Sequence, residues 1–483
     1  MIFRSAYLFA RSRTRWPALA ASRPLKVSSV ILGISASMYL ASLSLNKVHA
    51  DSDSSPPSSE PPPDNESHSP PPLEAGFTAD KTEWPLAIRY LGDALPDGLP
   101  RIYNLTRFDV RIRTMSRKPR VLINVLEGEL LNRVNIADIV AENLWFNLEA
   151  LFRWYQVDHT NPQPVEFMHE PHPPPEAIQT VLKTAVNFTD EYILNYFLGR
   201  AFSSLSKRNA ADPMRGSTSA CLVSALYEDD VRLLHVASLG NMRALLGRPR
   251  EADENGTVKY DVHILSVDHS PSNPSEKSRV ESLHEGENVI ENDTLFGRPY
   301  TRAIGDGKLK WSPDVQSRLH KDYLGAAPDP RVKTPPYISA EPDVTSIKIR
   351  PGDFLVLSSS WLHECLTDQE VVGLVGAWLD KNEDTFLDAQ NNLPQVVPKT
   401  PPAAILPEDL PVDMDEKEDK TVMYRRWNVS KRFVNVDNVP SAHLANNAMG
   451  GADLELRNAL MEMPPAHSEG NTKSLGVAVL IFR

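Results

Sequence analysis

Two long stretches with helical periodicity interrupt what is otherwise a chain of short strands, and that pattern limits the fold more than any other feature. Ile136–Tyr155 and Glu176–Phe202 place apolar side chains at three- and four-residue spacing, among them Ile139, Leu144, Phe146, Leu151 and Trp154. Short β-branched runs recur at Val121–Leu126, Ala220–Leu226, Val231–Ala237, Asp353–Ser358 and Leu475–Phe482, most of them bounded by turn residues. Strands and helices do not alternate as βαβ units require. The pattern therefore predicts an α+β fold of antiparallel sheets flanked by helices. A chain of 483 residues can bury a large core. Its two cysteines, Cys221 and Cys365, can build neither a disulfide framework nor a thiolate zinc site.

Charge is distributed unevenly along the chain. The formal total is −12, which excludes a general nucleic-acid binder. The seven basic side chains and absent acids of residues 1–50 leave the remainder more acidic still. Arg4, Arg11, Arg13, Arg15, Arg23 and Lys26, interleaved with aromatic and hydroxyl residues, give 1–26 the composition of a mitochondrial transit peptide. Residues 27–46 are uncharged, and at about 1.5 Å per residue they could cross a bilayer core of roughly 30 Å. The expectation is a transmembrane or stop-transfer segment of the inner membrane. It would leave the globular part in the intermembrane space, with the matrix as the alternative. A long cleaved presequence and a secretory anchor, the latter suggested by sequons such as those at Asn104 and Asn187, are the other readings. Residues 51–83 are rich in Pro, Ser and acids and read as a disordered linker. One large domain is then expected over 84–483, with a proline-punctuated surface insertion at about 386–420.

Within that domain a series of short motifs appears in order. Gly216-Ser217-Thr218 enters a strand. Asp268-His269-Ser270-Pro271-x-Asn273-x-x-Glu276-x-x-Arg279 follows, in which Asn273 is a plausible helix N-cap and Glu276 the acid of a capping box. Next come Gly297-Arg298-Pro299-x-Thr301-Arg302-Ala303-Ile304-Gly305-Asp306, Ser339-Ala340-Glu341-Pro342-Asp343 and Arg350-Pro351-Gly352-Asp353-x-Leu355-Val356-Leu357. Asp437-Asn438-Val439-x-x-Ala442-His443-Leu444 and Asn447-Ala448-Met449-Gly450-Gly451 close the series. Together these blocks resemble the metal-dependent PPM-type (type 2C) serine/threonine protein phosphatases, and within them the mitochondrial pyruvate dehydrogenase phosphatase branch. The resemblance implies a β-sandwich of two antiparallel sheets flanked by helices. It also implies two Mg²⁺ or Mn²⁺ ions, held by carboxylates, that activate a water for attack on a phosphoester.

The positions that would carry this chemistry are altered. Where the resemblance implies Asp-Gly-His, the chain has Glu127-Gly128-Glu129, so Glu127 and Gly128 remain as candidate metal ligands and Glu129 replaces the histidine general acid. Ser360 stands where a metal-binding aspartate is implied, followed by Trp361 in place of glycine, an indole expected to fill the metal cavity. Lys473 and Asn241 occupy two further metal positions, and of an acidic pair at the domain entry only Asp109 is kept, as a third candidate metal ligand. Two dications about 3.5–4 Å apart need several anionic ligands between them, and this set supplies too few. The expectation is a catalytically inactive pseudophosphatase with a regulatory or scaffolding role and no cofactor, binding a mitochondrial protein or phosphoprotein. An active Mg²⁺- or Mn²⁺-dependent phosphatase and a structural subunit of an inner-membrane assembly are the alternatives. Asp268 and Asp306 are read as loop-stabilising acids, Arg279 and Arg302 as loop anchors, and Trp311 and Trp427 as packing aromatics. The Glu166, His169, Glu170, His172 cluster is read as loop, because Pro171 and Pro173–Pro175 forbid the helix of a zinc motif.

Overall fold

The computed structural model describes residues 88–94, 106–115, 118–131, 134–155, 173–203, 216–254, 256–323, 325–388, 403–414, 419, 421–437, 439–462 and 475–482. The expected transit peptide, membrane segment and linker lie outside these, as do the Glu166–His172 cluster and Lys473. No described helix is long and apolar enough to cross a membrane.

The principal strands are β1 (Ile88–Ala94), β2 (Thr106–Met115), β3 (Lys118–Gly128), β4 (Ser219–Glu228), β5 (Leu233–Leu239), β6 (Arg243–Pro249), β7 (Tyr260–Ile264), β8 (Asp343–Lys348), β9 (Phe354–Ser358) and β10 (Val477–Phe482). They form two antiparallel sheets, one in the order β1-β10-β9-β6-β7 and the other β8-β5-β4-β3-β2, with Ile304–Gly305 pairing to β4. This is the α+β architecture that the strand and helix pattern predicts.

Alternation along each strand sorts side chains into three cores. Val121, Ile123 and Val125 of β3 face Leu246, Leu355, Leu480 and Phe482 across the space between the sheets, where the Tyr227 and Phe482 rings lie 5.0 Å apart. The opposite row of β3, Leu122 and Leu126, is covered by α1 (Ile136–Tyr155) and α2 (Pro175–Ser203) through Val140, Leu144, Leu148, Val181 and Ile193. Both helices run along the segments whose periodicity predicts them. A shorter helix, α3 (Pro274–Leu283), is capped by Asn273, whose side chain accepts the Ser275 amide at 3.1 Å. Glu276 does not complete a capping box; its carboxylate is taken by Arg279 and Arg302 instead.

On the outer face of the other sheet, Val356, Val477, Val479 and Ile481 pack beneath α4 (Ser360–Cys365), α5 (Asp368–Asp388) and α6 (Pro440–Ala448). Every residue of α6 is buried. Its Asn447 side chain accepts from Val434 N at 2.8 Å and donates to Val434 O at 2.9 Å, completing a backbone group that no strand serves. Within the expected surface insertion, residues 403–414 are held to the core. Leu410 and Val412 are buried there, and Val412 pairs with Tyr260 in a parallel bridge.

Candidate functional site

The site begins where β3 ends and β4 starts. Glu127 and Gly128 lie opposite Cys221 and Ala220, so Glu127 and the Cys221 thiol are cross-strand neighbours on one face, a separation of about 5 Å between Cβ atoms. Glu127 continues the Val121, Ile123, Val125 row and so belongs to the space between the sheets. The turn after β5 closes one side. Gly240 adopts φ +89°, and a Cβ there would lie 2.3 Å from Cys221 Sγ, so glycine is required for the thiol to fit. Burial first, and then the Glu127 carboxylate, push the Cys221 thiol far above its ordinary value. It is buried and packs in the core between the sheets.

Glu129 is bound into the same wall. Its amide donates to Ser219 O at 2.9 Å, and its Oε2 accepts from Ser219 N at 3.0 Å. Its other oxygen pairs with Arg298. Arg298 also reaches Asp306: Nε stands 2.9 Å from Oδ2, and Nη2 donates to Oδ1 at 3.4 Å, so the contact is Coulombic more than hydrogen-bonded. Asp306 is fully buried and sits in the left-handed region at φ 55°, a conformation costing a non-glycine residue on the order of 1 kcal/mol. Burial raises its carboxyl above the ordinary aspartate value, with Arg298 opposing and Glu129 adding to the rise. For Arg298 the balance falls the other way. Burial works against its charge, and Asp306, Tyr300 and Glu129 outweigh that, so its value is raised. Asp190 of α2 anchors the loop, accepting from Gly305 N and Lys310 Nζ, both at 2.7 Å. Beside Arg298 and Asp306 opens a cavity of about 310 Å³ lined by Phe296, Lys308, Leu309, Trp311 and Val332 among others.

The remaining candidates fall around this centre. Asn241 follows Gly240, is partly buried, and supplies a backbone hydrogen bond to Cys221. Ser360 opens α4 and is partly buried; the preceding Ser359 is tied to Gly476 through 2.9 and 3.0 Å hydrogen bonds. Asp109 pairs in register with Asn124, whereas Glu127 pairs with Thr106, so positions 109 and 127 fall in different rows of the sheet. The structure thus gathers Glu127, Gly128, Glu129 and Asn241 at the Cys221 end and does not bring Asp109 into the Glu127 row.

Trp361 departs from expectation. Its indole does not enter the space between the sheets but packs on the outer face with Leu245, Val356, Val477 and Phe433, its ring 6.3 Å from that of Trp427. The first turn of α4 points position 361 away from the sheet interior. Arg279 and Arg302 anchor a loop through Glu276, whose carboxyl stays well below the usual range because their hydrogen bonds overcome its burial. Arg298 lies in the Gly297–Asp306 motif, yet its partnership with Glu129, 169 residues away, has no local signature. A buried acid such as Asp306, which requires a cation, is the signal that could have found it. Ser358 Oγ lies 2.8 Å from His363 Nε2, but His363 Nδ1, 3.1 Å from Asp368 Oδ1, makes no aligned hydrogen bond and Ser358 is 1% exposed, so the three do not form a nucleophilic relay.

Residues 172–396 match the protein phosphatase 2C family profile. This stretch is similar to protein phosphatase 2C domains. A protein phosphatase 2C homolog of Schizosaccharomyces pombe is 31% identical over 269 residues, covering 55% of this chain and 53% of the relative. The mitochondrial pyruvate dehydrogenase (acetyl-transferring) phosphatase 1 of Saccharomyces cerevisiae is 31% identical over 306 residues, covering 59% and 50%. The chain thus spans about half the length of these relatives. A serine-threonine phosphatase 2C structure from Toxoplasma gondii aligns at 14% identity and TM-score 0.42 over 83% of this chain and 98% of the other.

Phosphatase 2C proteins depend on Mg²⁺ or Mn²⁺, and the residues here are a poor fit to such ions. Among the described residues no group of three or more His, Cys, Asp or Glu side chains is placed to hold a metal. The acids that do converge, Glu129 and Asp306, share a guanidinium.

Proposed function

We propose that this phosphatase 2C-family chain is a mitochondrial pseudophosphatase, one that binds a protein or phosphoprotein partner in a regulatory or scaffolding role. The observation that carries the reading is the engagement of Glu129. At the position where the family keeps a general acid, both carboxylate oxygens accept, one from an amide and one from a guanidinium, and neither is set to hand a proton to a leaving alkoxide. A mitochondrial location is supported by the relative named as mitochondrial and by the arginine-rich, acid-free composition of 1–26. Attachment to the inner membrane through 27–46, with the domain in the intermembrane space, is part of the same proposal. Carbonate extraction and protease protection of mitoplasts test it.

The rival is an active phosphatase with Glu127 and Gly128 sustaining a metal. Its support is their position at the end of β3. Assays on p-nitrophenyl phosphate and phosphopeptides with Mn²⁺ separate the two. Metal-dependent turnover that disappears in Glu127→Ala would overturn the pseudophosphatase reading.

A further inference from the structure

We propose that Arg298 is a resident cation that takes the place of a metal ion, so that Glu129 and Asp306 are paired without one. The inference rests on the pseudophosphatase reading and gives it a physical cause.

Three carboxylates flank the Cys221 end of the sandwich: Glu127 on β3, Glu129 just beyond it, and Asp306 on the loop that pairs with β4. Asp306 is fully buried and Glu129 about one-third exposed. Buried acids require a cation or a proton. In a metal-dependent site the ion meets that need. Here Arg298 does, its fork contacting Glu129 on one side and Asp306 on the other. A guanidinium remains charged at any pH at which a protein is folded, presents a planar set of donors, and cannot be removed by a chelator.

Three further observations fix the arginine in place. Gly297, immediately before it, adopts φ +83°, a turn into the loop that glycine makes without strain. Tyr300, two residues on, is buried and hydrogen-bonded to Ser219 Oγ, closing the loop over the strand end. Ser219 is also the residue whose backbone holds Glu129. The cation and its two acids are therefore set by one strand terminus and one loop. A dication arriving here would meet a fixed positive charge and acids already engaged.

The test uses Mn²⁺ alone, without substrate. Mn²⁺ is titrated into the full chain and into Arg298→Met, which keeps most of the stem and loses the charge, with the free-ion EPR signal and the melting temperature as readouts. The wild-type chain is expected to leave the free-ion signal unchanged and to melt at the same temperature with and without Mn²⁺. Arg298→Met is expected to melt several degrees lower and to recover part of the loss in Mn²⁺, with the free signal falling, since a hard dication can be held by two carboxylates and water. Arg298→Lys, which keeps the charge, should refuse Mn²⁺ as the wild type does. A chain that folds as R298K and fails to fold as R298M also supports the proposal. Mn²⁺ binding by the wild type without turnover, or a folded R298M that gains no Mn²⁺, overturns this inference and leaves the pseudophosphatase reading intact. Mn²⁺-dependent turnover by the wild type overturns both.

Discussion

Glu129 and Ser219 are hydrogen-bonded twice, once between their backbones at 2.9 Å and once from the Ser219 amide to the Glu129 carboxylate at 3.0 Å. The side chain is thereby part of the sheet's edge. Restoring the residue type that active relatives are implied to carry should not restore their chemistry. Glu129→His is expected to give no Mn²⁺-dependent hydrolysis of p-nitrophenyl phosphate. It should also lower stability by about 1.5–3 kcal/mol, the range for a lost hydrogen bond to a charged group. Urea denaturation and a colorimetric assay check both. Measurable turnover would show that the missing histidine was the only obstacle.

Asp190 holds the site loop from below, with Gly305 N and Lys310 Nζ both at 2.7 Å from one oxygen. Its pair with Lys310 is largely buried, at 11% and 6% exposure. Asp190→Ala strands a buried ammonium and should cost about 3 kcal/mol. Adding Lys310→Met should recover part of that loss. A double-mutant cycle on thermal or urea unfolding measures the coupling, and strictly additive effects would refute it.

Gly247 lies opposite Phe354 in the β6–β9 ladder, and a Cβ at 247 would sit 2.1 Å from Phe354 Cζ. The ring covers the glycine. Gly247→Ala should therefore destabilise by about 1–3 kcal/mol through overpacking, and Phe354→Leu in the same chain should relieve part of it. Chemical denaturation of the single and double variants decides this. An alanine chain as stable as the wild type would mean that the ring swings aside without cost.

Asp368 predicts a pH dependence of stability. Burial pushes its carboxyl up, but the adjacent His363 and the Arg243 guanidinium, which donates to both of its oxygens at 2.7 Å, prevail and hold it at about 2, below its ordinary 3.8. Because the folded value is the lower one, the stabilisation is fully present above the ordinary value and is lost as pH falls through about 2. It amounts to about 2 kcal/mol. Urea midpoints between neutral and strongly acidic pH should fall more steeply for the wild type than for Asp368→Asn in this window. Parallel curves would count against the pairing.

The main framework was legible because it rests on periodicity. α1 spans the interval whose apolar spacing predicts it, and the β3, β4, β9 and β10 runs are apolar enough to stand out. Trp361 was not legible in the same way. Its burial follows from its residue type, but the face it takes depends on how the first turn of α4 leaves β9, which no local pattern encodes. Arg298 shows the limit more plainly: it lies 169 residues from Glu129 in sequence, and only the loop's return to the β4 terminus makes them partners. Local motifs identify the scaffold, whereas the charge balance of a site is a tertiary property.

Helix α6, with all nine of its residues enclosed, lends part of the Asp437–Gly451 stretch that likens this chain to phosphatases. Its side chains answer to neighbours such as Val434 and not to anything outside the protein. Substitution there is penalised by misfolding whether or not a reaction is still performed at the Cys221 end. The residues of α6 that carry part of the likeness are thus set by packing, and they stand apart from the charged groups at the Cys221 end.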